Sequence, residues 1–286
     1  MWPNFFLFGA PKCGTTSMYA YLKAHPGVFM PEVKEPHYFA TDLPKIRVYT
    51  SWQNYLELFD DAAGHAAVGE ASTWYLYSDT AAENVLETIP SARIIVFFRN
   101  PVRFIQSLHS QFAYNAGRDP DFQAAWRSAR ARGLDQSRLF NAGLFGAQLR
   151  KLQAVIPPRQ LHVVLLDDMH HDPGAEYRRV LDFLGLEDDG REHFAVRNAN
   201  KTHRSMALAR FVKRTPVPLA KGWKWVKQAT GIPGPRLLDR VASLNLKEAE
   251  REPVSEEILD EVRAAYAPDI DLLQQRLGRD LSHWLT

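Results

Sequence analysis

One cysteine, Cys13, stands in the whole chain, so no intrachain disulfide can form and the fold does not depend on an oxidising compartment. Charge of one sign is equally scarce. Lys and Arg total 35 against 33 Asp and Glu, and a net charge of +2 excludes a strong bulk pull toward nucleic acid or membrane. A local basic pocket is compatible with that total. No apolar run approaches the roughly 18 residues of a membrane-spanning helix. The short apolar segment Phe5–Ala10 lacks the charged and long apolar regions of a secretory signal, so the expectation is a cytoplasmic protein. Internal repeats and low-complexity tracts are missing as well. What is present is ordinary for a globular chain: 286 residues, 45% hydrophobic and 24% charged, with room for one large or two small domains.

Short continuous apolar runs alternate with helical periodicity. Asn4–Gly9, Arg93–Phe98 and Leu161–Leu166 read as buried strands, and Ala67–Gly69 as a short one leading into Glu70. Helices are predicted over Thr16–Ala24, Trp52–Phe59, Ala81–Ile89, Pro101–Tyr114, Leu144–Val155, Ala175–Leu184 closed at Gly185, and Ser255–Leu277 apart from Pro268. Pro31–Phe39 reads as a loop. Buried strands alternating with helices predict an α/β fold, three-layered and P-loop-like, with a central parallel sheet flanked by helices. The whole of 1–286 reads as a single domain. Its one compositional oddity is Arg214–Arg240, rich in proline, with Trp223 and Trp225 among lysines. Leu219, Trp223 and Val226 there suit an amphipathic helix packed on the body; the alternative is a lid over an acceptor.

Two motifs carry chemistry. Gly9-Ala10-Pro11-Lys12-Cys13-Gly14-Thr15-Thr16-Ser17 joins a predicted strand to a predicted helix. Such a turn points free backbone N–H groups and the positive end of the helix dipole at one spot, which suits an anion. Gly14 allows close backbone approach, and Thr15, Thr16 and Ser17 add hydroxyl donors. The spacing from Gly9 to Gly14 copies a Walker A loop, yet Thr15 stands where that loop has lysine, and the lysine is displaced to Lys12. The second strand ends in Arg99, where a magnesium-binding carboxylate would be expected. A cofactor handled without metal fits this better than a magnesium nucleotide. Arg99 at a strand's carboxyl end can grip a phosphate bidentately, and Ser107, eight residues on, can add a hydroxyl. The bland readings are an empty glycine turn, a structural salt bridge at Arg99 and an ordinary helix serine; the combination weakens all three. Cys13, near a helix start, is read as a small loop residue and not a nucleophile.

Taken together, these residues resemble a family. Pro11–Ser17 is similar to the 5′-phosphosulfate loop of sulfotransferases that use 3′-phosphoadenosine 5′-phosphosulfate (PAPS), and Arg99 with Ser107 to that family's 3′-phosphate pair. Lys34-Glu35-Pro36-His37-Tyr38-Phe39 and Gly69-Glu70-Ala71-Ser72-Thr73-Trp74-Tyr75 resemble segments of its carbohydrate branch, which includes heparan sulfate sulfotransferases. Asn141–Leu149, Leu161–Asp168 and Leu277–Leu281 resemble later elements, and Asn200–Ser205 the loop that closes over the nucleotide. The resemblance covers nearly the whole chain, least securely Arg214–Arg240. There are departures. Ala71 stands where some heparan enzymes have a lysine, the paired cysteines of some Golgi members are missing, and their membrane anchor is not expected.

The resemblance implies an in-line transfer of the sulfuryl group from PAPS, releasing adenosine 3′,5′-bisphosphate, with no metal required. By it, Lys12 stabilises the leaving group, residues 12–17 (Cys13 among them) hold the 5′-phosphate, and Arg99 and Ser107 hold the 3′-phosphate. Arg204 and Ser205 close over it, with Lys201 as a further contact. Glu70 is the expected base for the acceptor hydroxyl, with His37 and His109 as rivals, and Lys34, Glu35 and His37 form the acceptor side. His109 falls two residues past Ser107 on a helix and is expected to face elsewhere. The implied acceptor is a saccharide or glycosylated compound. Competing readings are a P-loop small-molecule kinase, disfavoured by Thr15 and Arg99, and a non-catalytic nucleotide-binding protein of the same fold.

Overall fold

The computed structural model describes residues 1–116, 121–195, 201–203, 246–248 and 253–286. The strands are β1 (Phe5–Gly9), β2 (Val28–Phe29), β3 (Ala67–Ala71), β4 (Arg93–Phe98) and β5 (Leu161–Leu165), followed by the outlying β6 (Lys201–His203) and β7 (Leu246–Glu248). The helices are α1 (Thr15–Lys23), α2 (Trp52–Leu56), α3 (Ala81–Thr88), α4 (Pro101–Ala116), α5 (Phe122–Arg132), α6 (Arg138–Asn141), α7 (Phe145–Val155), α8 (Leu166–His171), α9 (Pro173–Leu184) and α10 (Glu256–Leu277).

β1 lies at the centre because it is apolar at every position; Phe5, Phe6, Leu7 and Phe8 are all fully buried. Each such side chain contributes about 1.5–3 kcal/mol on burial. β1 pairs in parallel with β3 on one side and β4 on the other, and the sheet runs β2-β3-β1-β4-β5. The predicted parallel sheet flanked by helices is therefore what forms. β6 and β7 make a separate antiparallel ribbon. Among the described residues no helix is long and apolar enough to cross a membrane.

Several elements differ from their sequence reading. β5 is only partly buried at Leu161, His162 and Val163, since it forms the sheet edge. The helix expected over Trp52–Phe59 tightens after Leu56 into a 3₁₀ turn, Glu57–Ala62, whose three-residue period buries Phe59 and Ala62 together. β3 continues through Glu70 to Ala71 and does not stop at Gly69. α10 runs unbroken through Pro268, although an interior proline costs about 3 kcal/mol. The neighbouring Asp269 explains why the helix stays in place there. Its carboxylate accepts from Gly146 N (2.8 Å) and Ala147 N (2.9 Å), capping the start of α7. The 214–240 segment lies outside the described residues.

Candidate functional site

All strands of the main sheet are parallel, so their carboxyl ends share one edge, and the candidate site forms there. The chain leaves β1, turns through Pro11–Cys13 and enters α1 at Gly14. Gly14 is left-handed (φ 91°), and a side chain there would meet Leu166 Cδ1 at 2.9 Å and Met169 Sδ at 3.1 Å. Glycine is needed for both reasons. The described non-glycine residues with positive φ are Lys12 (64°), Glu35 (59°) and His37 (52°). Strained backbone at non-glycine residues concentrates at functional sites, and here it falls on two loops that face each other.

Those loops border one cavity of about 600 Å³. Lys12, Gly14, Thr15, Thr16 and Ser17 line it from the β1–α1 turn; Arg99 and Ser107 line it from the end of β4 and from α4; Glu35 lines it from the Lys34–Phe39 loop. Thr15, Ser17 and Ser107 are nearly buried. Arg99 is tied to the loop, its Nη1 donating to the carbonyl oxygen of Lys12 at 3.0 Å. Burial lowers the pKa of Arg99, while nearby Asp167 acts in the opposite direction. Lys34 Nζ donates to Thr16 Oγ1 at 3.1 Å and lies 4.9 Å from the centre of the Tyr19 ring. Burial lowers its pKa as well. A second ammonium thus supports the phosphate loop from the loop opposite.

The Cys13 side chain is fully buried away from the cavity, and burial raises its thiol pKa strongly. Only its backbone can face a ligand. Lys201 lies on β6; Arg204 and Ser205 lie outside the described residues.

Glu70 departs most from expectation. Its side chain has no exposure and does not border the cavity. Oε2 accepts from Tyr75 Oη (2.8 Å) and Tyr55 Oη (3.0 Å), and Oε1 has no hydrogen-bond partner. Burial pushes the carboxyl up to about 7, against the opposing influence of the nearby Ser72, Tyr75 and Tyr55 hydroxyls. What Glu70 does is brace the loop above it. Tyr75 Oη, while donating to Glu70, accepts from Phe39 N at 3.1 Å. Glu35 N donates to Ala71 O (2.8 Å) and His37 N to Ser72 Oγ (3.0 Å). Alternate residues of the loop are thus stitched to the end of β3, which fixes where the Glu35 carboxylate sits.

Glu35 reaches the cavity with Thr73 Oγ1 donating to its Oε1 at 3.2 Å. His37 Nε2 lies 3.9 Å from Glu35 Oε2, and neither ring nitrogen of His37 has a hydrogen-bond partner. Burial lowers the His37 pKa and favours the neutral ring, with Glu35 opposing. His109 is placed as its spacing predicted, off the cavity with its ring edge on Phe122.

Sequence reasoning missed Arg103, Gln111, Trp74, Phe112 and His170, all of which line the cavity. Helical spacing held the signal for two of them. Arg103 and Gln111 flank Ser107 at four residues on either side and share its face of α4. Lys12 Nζ is 3.5 Å from Gln111 Oε1. His170 and Trp74 arrive on short helical turns after β5 and β3, for which no local pattern existed.

The site can therefore take a dianionic group at the start of α1, a second phosphate between Arg99 and Ser107, and a proton at Glu35. The profile of the sulfotransferase domain family matches residues 3–208. Carbohydrate sulfotransferase 15 of Homo sapiens is 28% identical over 245 residues, covering 64% of this chain and 44% of its own length. Heparan sulfate glucosamine 3-O-sulfotransferase 3B1 of Mus musculus is 25% identical over 281 residues, covering 97% of this chain and 64% of its own. This chain spans less than two thirds of the length of these curated relatives. A solved sulfotransferase from Alicyclobacillus acidocaldarius, 24% identical, covers 100% of both chains with a TM-score of 0.71, a shared fold.

Proposed function

This chain belongs to the sulfotransferase domain family, and from that premise we propose that it transfers the sulfuryl group of PAPS to a hydroxyl of an acceptor. The observation that carries this reading is the single cavity that gathers the phosphate loop, Arg99, Ser107 and Glu35. The backbone N–H groups of residues 14–16 and the hydroxyls of Thr15, Thr16 and Ser17 receive the 5′-phosphosulfate, with the dipole of α1 favouring its charge. Arg99 and Ser107 receive the 3′-phosphate. Lys12 faces the bridging oxygen.

In the transfer, the acceptor oxygen attacks sulfur in line with the leaving oxygen. The new O–S bond forms as the S–O bond to adenosine 3′,5′-bisphosphate breaks. The hydroxyl proton passes to a carboxylate, and the charge left on the departing phosphate is stabilised by Lys12. We assign the proton to Glu35 instead of Glu70. A base must come within hydrogen-bond reach of its proton, and Glu35 borders the cavity whereas Glu70 is enclosed beneath the loop. Thr73 holds Glu35 by a hydrogen bond to Oε1, and the neutral His37 ring lies 3.9 Å from Oε2. The named activities of the relatives support a saccharide acceptor.

Titration calorimetry with adenosine 3′,5′-bisphosphate, followed by transfer of labelled PAPS to saccharide acceptors, tests the proposal. Binding of ATP with magnesium in place of the bisphosphate would reassign the chain to phosphoryl chemistry.

A further inference from the structure

The acceptor has a second requirement beyond a base: a surface that holds it against Glu35. We propose that Trp74 and Phe112 form that surface, an aromatic platform for the face of a pyranose ring. This inference rests on the sulfuryl-transfer reading above.

The two rings lie 6.2 Å apart between centres and nearly parallel, at 13°. Both border the cavity. Phe112 is 39% exposed, in a chain that buries most of its large apolar side chains. Trp74 is held from behind by Tyr77, whose ring is 5.2 Å away and whose hydroxyl donates to Ala142 O at 3.0 Å. The platform is therefore rigid on one side and open on the other.

Its place along α4 separates it from the donor. Arg103, Ser107 and Gln111 recur every four residues and line the cavity in that order. Ser107 belongs to the 3′-phosphate end. Gln111 Oε1 lies 3.5 Å from Lys12 Nζ, the proposed leaving-group contact, and Phe112, the next residue of α4, lines the same cavity. The other half of the platform is anchored at the base. Thr73, which donates to Glu35, directly precedes Trp74. A ring laid on Trp74 and Phe112 would therefore share the cavity with Glu35.

The chemistry of the surroundings selects the ring. A pyranose has an apolar C–H face and a rim of hydroxyls. The platform offers aromatic faces with Thr73, Gln111 and Asn115 around them, all lining the cavity. A phenol or a linear alkanol brings a single hydroxyl to this polar rim, whereas a pyranose brings several.

The test uses the whole chain with labelled PAPS and three acceptors: a uronic acid–glucosamine oligosaccharide, 2-naphthol and a linear alkanol. The saccharide is expected to be sulfated in preference. Trp74→Ala and Phe112→Ala each raise its KM roughly tenfold, while the Kd for adenosine 3′,5′-bisphosphate stays unchanged. Trp74→Leu, which keeps the bulk and removes the aromatic face, serves if the alanine variant does not fold, and raises KM likewise; Phe112→Tyr restores it. Preference for 2-naphthol or the alkanol, or an unchanged saccharide KM in Trp74→Leu and Phe112→Ala, overturns the platform while leaving sulfuryl transfer intact. A wild-type chain that does not bind the bisphosphate overturns the underlying reading and the platform with it.

Discussion

Arg99 Nη1 donates to the main-chain carbonyl of Lys12 at 3.0 Å, so the end of β4 directly fixes the turn that leaves β1. Part of the guanidinium thus serves structure, through a main-chain carbonyl and not through an ion pair. The rest of the fork remains available to an anion in the same cavity. Arg99→Lys keeps the charge but can serve only one of these partners. A charge-assisted hydrogen bond contributes about 1.5–3 kcal/mol, so the Kd for adenosine 3′,5′-bisphosphate is expected to rise at least roughly tenfold. Calorimetry on Arg99→Lys checks this, and wild-type affinity would remove Arg99 from the phosphate site.

Lys12→Ala is expected to separate binding from chemistry. Lysine and alanine are both L residues at the same positive φ, so the substitution adds no backbone strain that is not already there. Removing one positioned transition-state donor lowers turnover by about 10²–10³. The kcat of Lys12→Ala should fall by that order with the melting temperature nearly unchanged. A proportionate loss of bisphosphate affinity would instead make Lys12 a ground-state ligand.

Glu35→Gln and Glu70→Gln form a pair of opposite expectations. Glu35→Gln keeps the Thr73 contact and cannot accept a proton, so it should bind the bisphosphate normally and lose transfer. Glu70→Gln retains an oxygen for Tyr55 and Tyr75 and should keep kcat within a few-fold. Single-turnover sulfation measures both, and the reverse pattern would return the base to Glu70.

Glu70 also makes a pH prediction. Its carboxyl is raised from 4.5 to about 7 by burial, so the folded chain holds a proton that the unfolded chain has lost. The stability associated with this group is fully present below pH 4.5 and is lost as pH rises through about 7. Relative to Glu70→Gln, which cannot ionise, wild type should lose stability across that window. Denaturant midpoints of the two chains, compared from pH 4.5 to 7.5, test it; parallel curves would mean that Glu70 titrates normally.

Lys34→Met should weaken donor binding without touching the base. Lys34 Nζ donates to Thr16 Oγ1 and lies over the Tyr19 ring. By donating to Thr16 it leaves that hydroxyl's own proton to point elsewhere. The Kd for PAPS is expected to rise about tenfold, with Lys34→Arg recovering part of the loss. An unaffected Kd would confine Lys34 to ordering the loop.

The phosphate loop was legible in the sequence because everything that makes it is local. Five apolar residues specify β1, Gly14 permits the left-handed entry to α1, and the hydroxyls follow in the first turn. Arg99 and Ser107 were legible for the same reason, as a strand end and a helix position at fixed spacing. The choice between Glu35 and Glu70 was not. Both are glutamates next to elements that end at the cavity edge, and Glu70 sat on the more regular of the two.

Tertiary structure decided between them through the alternation of β3 and the packing beside it. Glu70 points to the face covered by Tyr55 and Tyr75, residues 15 and 5 positions away that no local pattern ties to it. Glu35 is turned to the cavity by hydrogen bonds from its loop to β3, across gaps of more than 30 residues. Local sequence set the donor's cradle, since helix dipole, glycine conformation and strand termini are short-range effects. Which carboxylate borders the cavity depended on long-range pairing and burial, and only the folded chain brings those together.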